Sequence, residues 1–296
     1  MNTAFTKMFD VDHPVIGAPM FLVSGPALVA AVSNAGGLGT LPSLNGLAAE
    51  DFVAMLDEIE RLTDRPYGVN LVLKDNPRLE ADLAACFDHR VALIITSLGD
   101  PAPVVEAAHA RGIKVFCDVT SMRHARKAAA GGADGLIAVC VGAGGHAGLL
   151  SPAVLVPWLA DSFDLPVAMA GGVADGRGLA AALALGASAA YVGTRLVASR
   201  ESIAPDAFKQ LVVDVDAEQV EYTPEVTGVH CNFLKPSLEA FRRGEVGADQ
   251  RYVKIWSAGQ TVALVHEETP AGVIVEQMAR DARRCLAGLM GEEADA

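Results

Sequence analysis

Short runs rich in valine and isoleucine recur along the chain at intervals of roughly 20 to 30 residues, each ended by glycine, proline or a polar residue. Longer Ala/Leu-rich amphipathic stretches lie between them. No other feature limits the fold as much, because each run with its following stretch is one βα unit. The runs at Pro14–Ala18, Leu38–Leu41, Tyr67–Val72, Ala92–Thr96, Lys114–Val119, Gly135–Val139, Pro166–Ala170 and Ala189–Val192 predict eight strands. Helices are expected at Gly25–Ala35, Ala48–Leu62, Pro77–His89, Pro101–Arg111, Ser121–Gly131, Ser151–Phe163 and Gly176–Gly186, several closed by the glycine that a left-handed helix cap favours. Strands two to eight are nearly continuous apolar runs, the pattern of parallel strands covered on both faces. Eight such units fit an α/β fold of the (β/α)8 TIM barrel type with a C-terminal excursion or lid. An open doubly wound sheet would place a G-x-G-x-x-G turn after the first strand, where this chain has APMFLVSGP.

The rhythm stops after Thr194. The expected division is a barrel core over residues 1–198, an appended lid or excursion over 199–260, and a closing helix near Val273–Leu289 with a tail over 261–296. Glu292, Glu293 and Asp295 read as a frayed end. A net charge of −13 opposes phosphate backbones and anionic lipid, so neither nucleic acid nor membrane is an expected partner. The longest apolar runs are about ten residues, short of the ~20 that cross a bilayer. Five cysteines without a C-x-x-C spacing suggest neither a disulfide framework nor a zinc ribbon. With no signal-peptide core near Met1, the chain reads as a soluble, cytoplasmic protein acting on a small molecule, its oligomeric state open.

A barrel carries its chemistry at the C-terminal strand ends. Three glycine clusters fall there: Gly142–Gly148 after the sixth strand, Ala170–Gly178 after the seventh and Val192–Arg195 after the eighth. Glycines end strands simply to turn the chain, but two clusters on adjacent strands, the second with a threonine hydroxyl, fit a phosphate held by backbone N–H groups. Gly171, Gly172, Gly193 and Thr194 are therefore the candidate cradle. His146, framed by Gly144, Gly145 and Gly148, would face the mouth with a pKa near working pH. The other six histidines lack such framing, and no H-x-x-x-H or H-E-x-x-H spacing points to a metal. Ala18, Pro19 and Met20 end the first strand, the proline aiming Met20 at the mouth. Asn70 is an amide within an apolar strand, serving either a flat ring ligand or a neighbouring strand. Asp118 and Ser121 cap a helix or touch a ligand. Trp256 and Gln260 close over a ring or begin an amphipathic helix.

The ordered set APM, NAGGLG (Asn34–Gly39), GVN, AGGHAG, AGGVADGRGL, VGTRLVASRES and IWSAGQ, running from about Pro14 to Val265, resembles the nitronate monooxygenase (2-nitropropane dioxygenase) family of FMN-dependent TIM barrels. The resemblance implies that Gly171, Gly172, Gly193 and Thr194 hold the FMN phosphate and that Ala18, Pro19, Met20, Asn70 and Gly145 line the flavin, with Gln260 near its edge. It makes His146 the catalytic histidine. Two departures bear on substrate: Gly17 stands before APM where many nitronate oxidisers have Gln, and Asp118 stands where quinone-reducing relatives carry lysine. The implied activity is oxidation of an alkyl nitronate with O2 to a carbonyl compound and nitrite. The alternatives are an NAD(P)H-dependent FMN reductase of quinones or enoyl thioesters and a non-catalytic FMN- or phosphate-binding barrel.

Overall fold

A computed structural model describes residues 1–247 and 249–291. The acidic tail expected at 292–296 lies outside them. The described strands are β1 (Val15–Gly17), β2 (Leu38–Pro42), β3 (Tyr67–Val72), β4 (Val91–Ser97), β5 (Lys114–Val119), β6 (Gly135–Val139), β7 (Gly145–His146), β8 (Val167–Ala170), β9 (Ala189–Val192), β10 (Val220–Thr223) and β11 (Cys231–Leu234). Eight of them close a parallel barrel in the order β1-β2-β3-β4-β5-β6-β8-β9. All eight expected strands are present, and a helix or helical turn follows each.

The apolar runs are continuous because each strand feeds two cores. One face packs on the surrounding helices through residues such as Val15, Leu41, Val69, Ile94 and Val115. The other fills the barrel with Ile16, Leu38, Leu93, Ile95, Phe116, Ile137, Ala168 and Ala189. At the N-terminal end a helix that sequence reading did not predict, Ala4–Phe9, closes the barrel with Phe5 and Phe9 against Phe116. Thr3 and Thr6 form its capping box, and the Thr3 hydroxyl donates to the Ser188 carbonyl at 2.7 Å. The last helix runs from Ala271 to Met290 and lies on helices Gly176–Ala184 and Pro26–Asn34. A side chain at Gly176 would come within 2.5 Å of the Ala282 amide nitrogen, so this crossing depends on the missing Cβ.

Between barrel and last helix, residues 199–260 form helices Asp206–Asp214 and Lys235–Arg242 around two small apolar clusters. The strands of this excursion do not join the barrel. They make an antiparallel sheet, β10-β11-β7, whose third strand is the glycine-rich loop after β6. No helix among the described residues is long and apolar enough to cross a membrane.

Candidate active site

Strand alternation and register build the floor of the barrel mouth. On β4, Ser97 follows the interior residues Leu93 and Ile95; on β5, Asp118 follows Phe116; on β9, Tyr191 follows Ala189. Asn70 shares a face with Ile95, its partner across β3 and β4. These four side chains form a polar layer above the apolar filling. The Asn70 Nδ2 donates to Ser97 Oγ at 2.8 Å and to the Ile95 carbonyl at 3.1 Å, and the Ser97 hydroxyl donates to Asp118 Oδ2 at 2.5 Å. Asn70 thus serves its neighbouring strand, and its Oδ1 accepts no hydrogen bond among the described residues. Burial pushes the Asp118 carboxyl up to about 6 against the opposing Ser97 bond. Burial, with Asp118 second, raises the Tyr191 phenol. Asp118 caps no helix; Ser121 does, accepting from the His124 amide.

One wall is the turn after β1. The Ala18 amide donates to the Val192 carbonyl at 2.9 Å, and Ser24 Oγ donates to the Ala18 carbonyl while accepting from the Met20 amide. Asn45 pins the same turn, accepting from Leu22 and donating to the Ser24 carbonyl. Pro19 and Met20 are thereby held half-buried at the rim. A Cβ on Gly193 would lie 3.5 Å from Met20 Sδ and 3.6 Å from Ala18 Cβ, so those three residues share a corner.

β8 and β9 are neighbours, with Ala170 beside Tyr191, which brings Gly171 and Gly172 next to Gly193 and Thr194. Gly171 and Gly172 have φ of +99° and +82°, and a Cβ on Gly171 would stand 3.1 Å from the Ala143 nitrogen. Only glycine fits that turn. The N–H groups of Gly171, Gly172, Gly193 and Thr194 donate to nothing among the described residues. Thr194 Oγ1 accepts from the Gly259 amide at 2.8 Å and keeps its own proton to donate. Four open amides and a hydroxyl at adjacent strand ends are a chemically suitable anion cradle.

The third part is the β6–β7 loop. Sequence reading singled out its glycines and missed the side chains that hold it. Asn232 Nδ2 donates to the Ala143 carbonyl at 2.6 Å, and the Tyr222 hydroxyl donates to the Ala147 carbonyl at 2.7 Å. The Gly145 amide donates to Ser257 Oγ at 2.6 Å, and that hydroxyl donates to the Asn232 carbonyl. The Gly145 N–H is therefore already used. Gln260 lies on the same loop: its amide donates to the Gly142 carbonyl at 2.9 Å, and its Oε1 sits 2.8 Å from where a Gly142 Cβ would be. His146 pairs with Cys231 across β7 and β11. Its ring reaches solvent with no hydrogen-bond partner among the described residues, while surrounding protein lowers its pKa below the ordinary imidazole value. Trp256 stacks on Phe208, centroids 5.2 Å apart and rings 9° from parallel, and packs half-buried against the apolar cluster that joins the excursion to Val23 and Val197. A Trp before a Gly-containing turn looks the same in sequence whether it faces a ligand or a core.

A family model described as nitronate monooxygenase matches residues 2–87 and 78–236. A (3aS,4S,5R,7aS)-5-hydroxy-7a-methyl-1-oxo-octahydro-1H-indene-4-carboxyl-CoA dehydrogenase of Rhodococcus jostii is 35% identical over 80% of this chain and 67% of its own length. A nitronate monooxygenase of Pseudomonas aeruginosa is 34% identical over 77% of this chain and 78% of its own. Among solved structures, FabK from Thermotoga maritima superposes with a TM-score of 0.88 at 30% identity, covering 98% of this chain and 99% of that one.

Proposed function

The chain belongs to the nitronate monooxygenase family of flavin-dependent oxidoreductases, and from that premise we propose that it binds FMN and oxidises alkyl nitronates with O2 to carbonyl compounds and nitrite. The observation that carries this reading is the convergence of three parts at one barrel mouth: the open amides of Gly171, Gly172, Gly193 and Thr194, the corner of Ala18 and Met20, and His146 on its braced loop. The cradle suits the phosphate of FMN, and Pro19, Met20 and Asn70 with its free Oδ1 suit a flat ring. Gly145 and Gln260 serve by shaping the loop that carries His146. Bound flavin supplies the electron acceptor that O2 regenerates. His146, its pKa below the ordinary imidazole value, is neutral at working pH; it donates its ring N–H to a nitronate oxygen, or takes the α-proton of a parent nitroalkane on its unprotonated ring nitrogen. The 199–260 segment acts as a lid, because β10 and β11 extend the sheet that carries His146. We further assign the chain to the cytoplasm as a protein without nucleic-acid or membrane partners.

The test is to mix the purified yellow protein with propionate 3-nitronate or an alkyl nitronate and assay nitrite. His146→Asn should keep its flavin and lose turnover; full turnover in that variant refutes the assigned role.

A second reading has its own support. Phe21, Leu98 and Leu149, on the loops after β1, β4 and β6, are exposed large apolar side chains on the same barrel face. Such a rim suits a substrate bulkier than a small nitronate. With a carboxyl-CoA dehydrogenase and FabK among its relatives, the alternative is NAD(P)H-driven reduction of a quinone or an enoyl thioester through the same flavin. Rapid anaerobic bleaching of the flavin by NADH or NADPH would favour it over a strict nitronate oxidase.

A further inference from the structure

The helix after β5, Met122–Ala130, reads MRHARKAAA: cations and an imidazole with no acidic residue, in a chain of net charge −13. Arg123 and His124 stand in its first turn, where the positive end of the helix dipole disfavours cations. Lys127 has a carboxylate nearby, Asp100 at 3.8 Å, whereas Arg123 and Arg126 pair with none among the described residues. Arg123 is nonetheless held in place. Its Nη2 donates to His124 Nε2 at 3.2 Å; a guanidinium can only donate, so the neutral ring carries its proton on Nδ1 and donates it to Thr120 Oγ1 at 3.0 Å. One guanidinium N–H is used in this way, and the others donate to nothing among the described residues. Thr120 joins the group to the loop that bears His146: a Cβ on Gly148, two residues further on, would lie 3.0 Å from Thr120 Cβ. The neighbouring loops carry Leu98, after β4, and Leu149, after β6, and both are exposed. An ordered guanidinium thus stands at the rim beside the His146 loop with an apolar side chain on each flank, and β6 separates it from the anion cradle on β8 and β9.

We propose that Arg123, backed by Arg126 one turn further along, anchors the diphosphate of a nucleotide-bearing reactant whose arm crosses the Leu98–Leu149 rim into the barrel mouth. The inference rests on the second reading above, reduction of a bulky substrate through the flavin. A guanidinium fork matches phosphate oxygens two at a time, and the helix N-terminus adds its own partial positive charge at the same point. Cations at that end weaken the helix by themselves, and a bound anion removes the conflict. The two leucines give the arm apolar surface to cover on its way in. Two reactants of that reading carry the same diphosphate, a coenzyme A thioester and NAD(P)H, and each is long enough to reach from the rim to the floor of the mouth.

The test is isothermal titration calorimetry of the flavin-loaded protein with coenzyme A and, separately, with NADPH, in wild type and Arg123→Ala. The substitution should raise the Kd of at least one ligand about tenfold or more, the worth of a charge-assisted hydrogen bond, while the variant keeps its flavin. A loss confined to coenzyme A identifies the thioester as the source of the diphosphate, and a loss confined to NADPH identifies the nicotinamide nucleotide. Equal affinities in the two proteins, or no binding of either ligand to wild type, overturn the proposal. Should the variant fail to fold, wild type decides alone. Whichever ligand binds must lose about tenfold or more when its phosphates are removed, as in pantetheine for coenzyme A or dihydronicotinamide riboside for NADPH, and equal affinity overturns the proposal. Anaerobic bleaching by NADPH tests the reductase reading separately. A flavin that stays oxidised in protein that binds coenzyme A through Arg123 overturns that reading and supports the anchor; a bleached flavin with affinities untouched by Arg123→Ala overturns the anchor alone.

Discussion

His146 and Asp118 differ in how much of them a sequence reveals. His146 is legible because four glycines around a single histidine are an unusual local composition, and the loop they make lies at a strand end. Asp118 is half legible: alternation puts it on one face with Phe116, but whether it caps a helix or faces the mouth, and its bond from Ser97 on the next strand, are fixed only by the barrel. Asn70 is half legible too: an amide in an apolar strand announces a polar interior, but its partner Ser97 lies on the next strand and only the register joins them. The chemistry at His146 has a direction in pH. Burial lowers its pKa, so the neutral ring persists below the ordinary imidazole range, and protonation ends its service as a base only at lower pH still. The pH profile of kcat/KM for a nitronate should therefore hold its plateau below the usual imidazole pKa and fall on the acid side. His146→Asn should remove that limb along with most of the rate, and an unchanged acid limb in the variant would assign the ionisation elsewhere.

At the scale of elements, the eight barrel strands can be read from sequence because parallel strands buried on both faces need uninterrupted apolar runs. β7, β10 and β11 cannot, since they are two to four residues long and polar in part, and β7 pairs with a strand far along the chain. What makes this small sheet form is side-chain bracing, and Asn232 is its most buried polar brace, 5% exposed with its amide on the Ala143 carbonyl. Asn232→Ala leaves that carbonyl without its donor in a buried setting, a loss of about 1–3 kcal/mol. The expected outcome is a lower denaturation midpoint and a reduced kcat/KM, because the loop bearing His146 loses an anchor. Flavin content should stay near one per chain, since the cradle on β8 and β9 makes no use of Asn232. Loss of flavin at unchanged stability would mean that the sheet, and not the strand ends, holds the cofactor.

Over the whole molecule, stability and chemistry sit at opposite ends of the barrel. The N-terminal plug packs through aromatic rings: Phe5 is completely buried, its ring centroid 5.0 Å from Phe9 and 6.3 Å from Phe116. Phe5→Ala should cost about 3–5 kcal/mol in urea denaturation yet leave the FMN affinity of the folded protein unchanged, because a layer of interior side chains separates plug from floor. The charge of −13 acts on the other end. An anionic cofactor approaches a net-negative surface, and the candidate cradle meets it with backbone amides and a hydroxyl, which hold at short range and do not steer. Long-range repulsion therefore opposes encounter while local donors govern retention. Added KCl shortens the Debye length from about 10 Å at 0.1 M to about 3 Å at 1 M, which screens the encounter far more than the contacts. The association rate of FMN with protein freed of flavin should thus rise with ionic strength while its dissociation rate changes little. Stopped-flow quenching of flavin fluorescence measures both, and an association rate that falls with salt would show that cations at the mouth, not backbone amides, capture the phosphate.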